Sequence, residues 1–335
     1  MTVPRILVTG ATGFIGGSLV DRLVGDGYRV RALARPAADA GKLERSGAEV
    51  VRGSLEDVPS LERALNDCAH VYHLAASTLS RSRSNRDYET TNVSGSANVA
   101  AAAARAGVRR FVHVSSCGVY GFRNRFPADE SAPLRPDTPY RVSKARGERA
   151  VLACRERTGL PVVIARICAT YGPGAINWVP ICRSIQAGDF RMIGNGRNRL
   201  HIGHVSDIVE GLRRCAETPG IEGRCYNLAG PAPITMGEFV ATVSEALDAP
   251  LTKSPWPAFP FRATRHIDLA LTNLLGMKLR RLHSYDLFLG DRFFDISRAE
   301  RELAYRPQVS TREGLRRLAR DFRETEVIDS HGTPR

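Results

Sequence analysis

Lysine is scarce in this chain. Of its 48 cationic side chains only Lys42, Lys144, Lys253 and Lys278 are lysines; the other 44 are arginines. The arginines are scattered, with no block of five or six like charges, so the net charge of +13 reads as an arginine bias rather than a tract for nucleic-acid phosphates. No stretch approaches the ~20 consecutive apolar residues of a membrane helix, and no basic-then-apolar segment opens the sequence. The expectation is a cytoplasmic protein with neither a membrane nor a nucleic acid as partner. The seven cysteines, at 68, 117, 154, 168, 182, 215 and 225, form no CxxC pair and no metal-ligand spacing. That pattern implies free thiols in a reducing compartment and no metal site. Repeats and low-complexity runs are absent, and 30 glycines and 19 prolines in 335 residues exclude collagen-like and disordered chains.

What is present is alternation. Short β-branched apolar runs occur at Ile6–Thr9, Arg29–Ala34, Glu49–Arg52, His70–Ala75, Arg110–Ser115 and Pro161–Ile167, with a seventh at Cys225–Ala229. Between them lie stretches with apolar residues at helical spacing, such as Ile15, Leu19 and Leu23. Strands joined by helical crossovers predict an α/β fold: a doubly wound parallel sheet of about seven strands with helices on both faces. After Tyr171 the pattern loosens, with turns at Gly172-Pro173-Gly174, Gly194-Asn195-Gly196 and Pro231-Ala232-Pro233. Helices are expected at 207–217, 236–247, 297–303 and 311–322. The sheet domain is placed at 1–172 with returns at about 204–230. A smaller, mostly helical substrate domain is placed at 173–203 and 231–325, and a tail at 326–335.

The first strand runs straight into Gly10-Ala-Thr-Gly13-Phe-Ile-Gly16 and a helix. The first glycine permits a tight turn, the second lets the backbone approach a pyrophosphate, and the third lets helix and strand pack closely. The helix N-terminus then offers unpaired N–H groups to the phosphates. The pattern predicts, against the alternative of a structural glycine turn, a Rossmann-type dinucleotide site. Its specificity is read at the end of the second strand, where an acidic residue would bind a ribose 2′-OH. Ala34 stands there, followed by Arg35, with Arg31 on the same strand, so NADP is favoured over NAD.

Tyr140 and Lys144 lie four apart after Pro139, on one face of a helix that the proline opens. A phenol of reference pKa near ~10 becomes a useful base when a neighbouring cation stabilises its phenolate. The run Arg110–Ser115 ends in Ser115-Ser116, at the carboxyl end of a parallel strand, where ligands bind. His113 reads as structural, and His201 and His204, with no carboxylate cluster beside them, as strand histidines. Trp178, Trp256, Phe259 and Phe261 read equally as pocket lining or as core.

These motifs, with HLAA at His73–Ala76, Asn92-Val-Ser-Gly95, Ser116-Cys-Gly-Val-Tyr120-Gly121, Tyr171-Gly-Pro-Gly174 and Phe294–Leu303, resemble the extended short-chain dehydrogenases/reductases. That family includes the nucleotide-sugar epimerases and dehydratases. The resemblance implies that Ser116 hydrogen-bonds the substrate oxygen, Tyr140 is the acid/base, Lys144 holds the nicotinamide ribose and Asn92 orders the site. Gly10, Thr12, Gly13, Phe14, Ile15, Gly16, Arg35, Leu74, Ala75 and Ala76 would contact the cofactor. Ser54 and Leu55 would lie at the adenine, where the family usually has Asp and an apolar residue. Ser116, Cys117, Asn177, Trp178 and Arg199 would face the substrate, and a homodimer would form through paired helices, one of them the alanine-rich stretch Ala97–Ala106.

Departures narrow the reaction. Cys117-Gly118 replaces the Asp-Glu pair of the dehydratases, and Cys117 reads as an extra acid/base or as a packed thiol. Nucleotide-sugar enzymes of the family tend to carry an arginine seven positions before the aspartate of His204-Val-Ser-Asp207; here that position is Leu200, with Arg199 one place away. A one-residue shift on a strand reverses the face. The expectation is a hydride transfer between the nicotinamide and a secondary alcohol or ketone of a non-nucleotide molecule, of hydroxysteroid, sterol or dihydroflavonol type. The alternatives are a nucleotide-sugar 4-epimerase and a non-catalytic NAD(P)-binding regulatory or RNA-associated protein.

Overall fold

The computed structural model describes residues 4–78, 84–122, 124–264 and 287–330, with side chains as far as 324. The sheet strands are β1 (Arg5–Thr9), β2 (Arg29–Ala34), β3 (Glu49–Arg52), β4 (Cys68–His73), β5 (Arg110–Ser116) and β6 (Val162–Ile167). Short strands follow: β7 (Ala169–Tyr171), β8 (Arg199–Leu200), β9 (Ile202–His204), β10 (Cys225–Leu228) and β11 (Ile234–Thr235). The helices through residue 247 are α1 (Phe14–Gly25), α2 (Gly41–Arg45), α3 (Val58–Leu65), α4 (Asn85–Tyr88), α5 (Gly95–Arg105), α6 (Pro139–Thr158), α7 (Val179–Gln186), α8 (Val205–Glu217) and α9 (Met236–Leu247).

Seven strands form one sheet in the order β10-β6-β5-β4-β1-β2-β3, every neighbouring pair parallel. The order reverses between β1 and β4, and the crevice at the carboxyl ends of these two strands is where such sheets bind ligands. Helices α1 and α8 cover one face, over a core that includes Val8, Leu19, Val112, Val163 and Leu212. Helices α3, α5 and α6 cover the other, over Leu7, Val71, Phe111, Val99 and Val151. A third core joins α7, α9 and the C-terminal helix Thr311–Ser330 through Trp178, Phe239, Val243, Leu315 and Phe322.

Strand limits depart from the sequence pattern at β4, which starts at Cys68 and ends at His73 rather than running from His70 to Ala75. Ala75 leaves the ladder to donate its N–H to Thr9 Oγ1 at 3.2 Å, which carries the chain over Gly10. The C-terminal helix continues to Ser330, so residues 326–330, expected as tail, are helical; the rest of that tail lies outside the described residues. Its apolar stripe Leu315, Leu318, Ala319 and Phe322 packs on α9. All seven cysteines are free, and six are buried. Among the described residues no helix is long and apolar enough to cross a membrane.

Candidate active site

The glycine motif forms a cradle that other residues would fill. Gly10 sits at φ +72°, and a Cβ there would stand 2.6 Å from Ala75 N and 2.7 Å from Leu74 C. A Cβ on Gly16 would stand 2.2 Å from the Gly10 carbonyl oxygen, so α1 rests directly on the turn. Gly13 caps α1 with extended backbone and no side chain, which leaves the N-terminal N–H groups of the helix to an anionic ligand. This surround fits a dinucleotide pyrophosphate. Thr12 is exposed; Phe14, Ile15, Leu74, Ala75 and Ala76 are half-buried around the crevice.

Arg31 on β2 and Arg35 just beyond it part company. Arg31 is buried and donates from Nη1 to the carbonyls of Arg63, Ala64 and Asn66 at 3.2, 3.0 and 2.8 Å, closing the C-terminal end of α3. Its Nη2 pairs with Glu49 at 2.9 Å. Arg35 is exposed just past the strand end. The Ser54 hydroxyl accepts from the N–H groups of Glu56 and Asp57, while Leu55 packs against the position of Gly95.

Strand β5 ends at Ser116, whose hydroxyl oxygen accepts the Gly118 N–H at 3.1 Å, turning the chain away from the sheet. Helix α6 opens at Thr138, which caps Arg141 N–H, with Pro139 in the first turn as expected. That places Tyr140 beside Ser116. Burial holds the Tyr140 phenol above its ordinary range, and a hydrogen bond from Ser116 works in the opposite direction. Lys144 is deeper, buried, its Nζ donating to the Val114 carbonyl at 2.7 Å. Burial brings its ammonium down to about 8, opposed by Glu148. The expected net lowering of the phenol is therefore corrected: desolvation outweighs the groups that favour the phenolate, and the Lys144 head is bonded to a β5 carbonyl. At neutral pH the site holds Tyr140 protonated.

Asn92 lies in a π-helical turn, Glu89–Ser94, between α4 and α5. Its Oδ1 accepts from Ser77 N–H at 2.7 Å, and its Nδ2 donates to the Ser77 carbonyl at 3.1 Å and to Ser143 Oγ at 2.8 Å. Ser143 in turn donates to the Tyr140 carbonyl at 2.7 Å, so Asn92 ties the crevice loop to the first turns of α6. A second buried chain supports it. Ser96 donates to the Asn92 carbonyl (2.8 Å) and so accepts from His73 Nε2 (2.9 Å); His73 Nδ1 then accepts from Thr9 Oγ1 (2.8 Å). Burial pushes His73 down to about 3, so it is a neutral link. Of these residues, His73 opens the HLAA motif, while the sequence motifs assign no site role to Ser77, Ser96, Ser143 or Thr9. Ser143 at i+3 from Tyr140 and Ser96 at i+4 from Asn92 are the only local signals that would have pointed to them.

The expected substrate residues disperse. Cys117 is buried and its thiol donates to the Arg166 carbonyl at 3.2 Å; it packs under the turn instead of facing substrate, and burial holds it well above the ordinary thiol range. Trp178 is core: its Nε1 donates to the Thr170 carbonyl at 2.9 Å and its ring lies 5.1 Å from Phe239. Asn177 is exposed. Arg199 pairs with Asp291 at 3.0 Å and lies 3.9 Å over the Phe293 ring. His201 donates from Nε2 to the Gly230 carbonyl at 2.8 Å, and His204 caps α8; both are structural. A cleft of about 540 Å³ near β8 is lined by Asn195, Arg197, Asn198, Arg262 and Asp291 among others, and by none of Ser116, Tyr140 or Lys144.

A model of the NAD dependent epimerase/dehydratase family matches residues 6–229. The chain belongs to that family. It is an enzyme of the extended short-chain dehydrogenase/reductase type, and its relatives differ in chemistry. One is a 4-hydroxy-2-methyl-3-oxo-4-farnesyl-3,4-dihydroquinoline-1-oxide ketoreductase of Stigmatella aurantiaca, 31% identical over 93% of this chain and 94% of its own. Another is the sterol demethylase protein B of Methylococcus capsulatus, 32% identical over 96% and 99%. Among solved structures, a dTDP-glucose 4,6-dehydratase from Streptomyces venezuelae with NAD and TYD bound superposes with a TM-score of 0.76. It is 28% identical over 97% of this chain and 98% of that one.

Proposed function

We propose that this family member is an NADP-dependent reductase of a ketone on a non-nucleotide small molecule. The observation that carries the reading is Leu200. It stands where the nucleotide-sugar branch tends to have its diphosphate-gripping arginine, yet it is a core residue, and the adjacent Arg199 is held by Asp291 and Phe293. The ketoreductase relative supports the same direction. NADP rests on exposed Arg35 following Ala34, with no carboxylate at that strand end to repel a 2′-phosphate. The solved dehydratase holds NAD, so this preference belongs to the present chain's own residues.

When bound, the dinucleotide would supply the hydride. Gly10, Gly13 and the α1 N-terminus would hold its pyrophosphate, and Lys144 its nicotinamide ribose. Ser116 would donate a hydrogen bond to the substrate carbonyl, and the protonated Tyr140 would deliver the proton to that oxygen as the alcohol forms. Asn92, Ser143 and the His73 chain keep these groups in place. The small-molecule substrate, a cytoplasmic setting and a homodimer are part of the same proposal; native mass spectrometry reads the last directly.

A nucleotide-sugar epimerase is the second reading, favoured by Arg197 and Arg262 in the cleft near β8, where two cations suit a diphosphate. Stoichiometry separates the two. With purified protein, the reductase oxidises added NADPH one for one with steroid, β-keto or phenolic ketones and leaves UDP- and dTDP-sugars unchanged. Sugar isomerisation without added cofactor would refute it. Tyr140→Phe is expected to lower turnover by about 10²–10⁴-fold with cofactor affinity unchanged.

A further inference from the structure

Beneath Tyr140 and Lys144 lies a buried ion pair that the proton and hydride steps do not use. Glu148 follows Lys144 by one helical turn on the same buried face of α6, and the two are 2% and 4% exposed. Its carboxylate accepts two bonds from Arg166 on β6, Nε to Oε1 at 3.1 Å and Nη2 to Oε2 at 2.8 Å. The remaining arm, Nη1, donates to the Tyr120 hydroxyl at 2.9 Å, which donates to Asn227 Oδ1 at 2.8 Å. Asn227 Nδ2 then reaches the carbonyls of Ala128 and Asp295, each at 3.1 Å. One run of bonds thus fastens the catalytic helix to β6, to β10 and to the segment that returns at Phe294.

The charges around Lys144 are few. His73 faces it from β4 and His113 from β5, and burial holds both imidazoles neutral. From its own helix come Tyr140, protonated, and Glu148; Arg166 on β6 is bound to that same carboxylate. The anion that acts on the ammonium is Glu148. A buried ammonium without a counter-charge gives up its proton readily.

We propose that Glu148, gripped by Arg166, is a positioning residue of this active site: it supplies the counter-charge for Lys144 and holds α6 against β6. The proposal rests on Lys144 acting as described above, but its test needs no substrate. With four lysines in the chain, a full-length sample carrying ¹³Cε-labelled lysine gives four Cε signals, and Lys144→Met identifies the one of interest. The wild-type signal is expected to titrate near 8. Glu148→Gln is expected to lower that midpoint by about one unit or more, and Glu148→Asp, which keeps the charge, to hold it within about half a unit. Should Glu148→Gln not fold, the double variant Glu148→Gln/Arg166→Met leaves no unpaired guanidinium behind, and its midpoint is expected to fall as well. An unchanged midpoint in a folded Glu148→Gln or double variant overturns the proposal and leaves the reductase reading untouched. Failure of the ketone assay would leave the titration standing.

Discussion

Two adjacent glycines of α1 give the sharpest test of the cofactor cradle, because the same substitution has opposite signs at each. A Cβ at Gly16 meets Gly10 O at 2.2 Å, Gly10 C at 2.8 Å and Ala11 Cα at 3.0 Å, all backbone atoms that cannot rotate aside. Relieving the closest contact requires the helix and the turn to separate by roughly 1 Å, an overpacking that costs about 1–3 kcal/mol. For a chain of this length that lowers Tm by about 2–4 °C. The cofactor loses more, because the displaced element carries the N–H groups meant for its pyrophosphate. One hydrogen bond to a charged group is worth about 1.5–3 kcal/mol, or about ten- to a hundredfold in Kd. At Gly17 the nearest atom to an added Cβ is Ala11 O at 3.5 Å, an ordinary contact. There alanine gains helix propensity, about 0.5–1 kcal/mol, with cofactor affinity unchanged. Thermal unfolding and NADP(H) titration of Gly16→Ala and Gly17→Ala decide the matter. Equal effects at the two positions, or wild-type cofactor affinity in Gly16→Ala, would refute the cradle argument.

Acid should destabilise the fold earlier than carboxylate protonation alone requires. Burial lowers the proton affinity of His73 (to about 3) and of His113, whose two ring nitrogens have no hydrogen-bond partner. Below about pH 6.5 the unfolded chain binds protons that the folded chain refuses, so stability rises with pH up to that value and is lost as pH falls below it. His113→Val is expected to flatten that slope by about 1.4 kcal/mol per pH unit between pH ~6 and ~5, measured by denaturant midpoints; an unaltered slope would mean that His113 takes up its proton while folded. Arg35→Asp should move the ratio of NADP to NAD affinities toward NAD, measured by titration with both cofactors. A ratio that stays put removes Arg35 as the discriminator.

The sequence by itself determined what is written in short-range pattern. Strands β2 and β3 and helix α9 fall where the alternation and helical spacing predict them. The GATGFIG cradle and the Tyr140/Lys144 pairing on one helical face likewise follow from spacing within seven residues or fewer. Such features depend on backbone sterics and on the 2.0 and 3.6 periods, which act locally. Tertiary structure decided which side chains of the right type are free to act. Arg31 and Arg35 look alike on paper; only packing of α3 turns one into a carbonyl clamp and leaves the other in solvent. Cys117, Trp178 and Arg199 are engaged by partners as distant in sequence as Arg166, Phe239 and Asp291. The same holds for Lys144, whose ammonium is claimed by a carbonyl thirty residues earlier, and for Tyr140, where loss of water outweighs the groups that favour its phenolate. Desolvation and hydrogen-bond competition are properties of the folded surroundings, and no spacing rule within the chain encodes them.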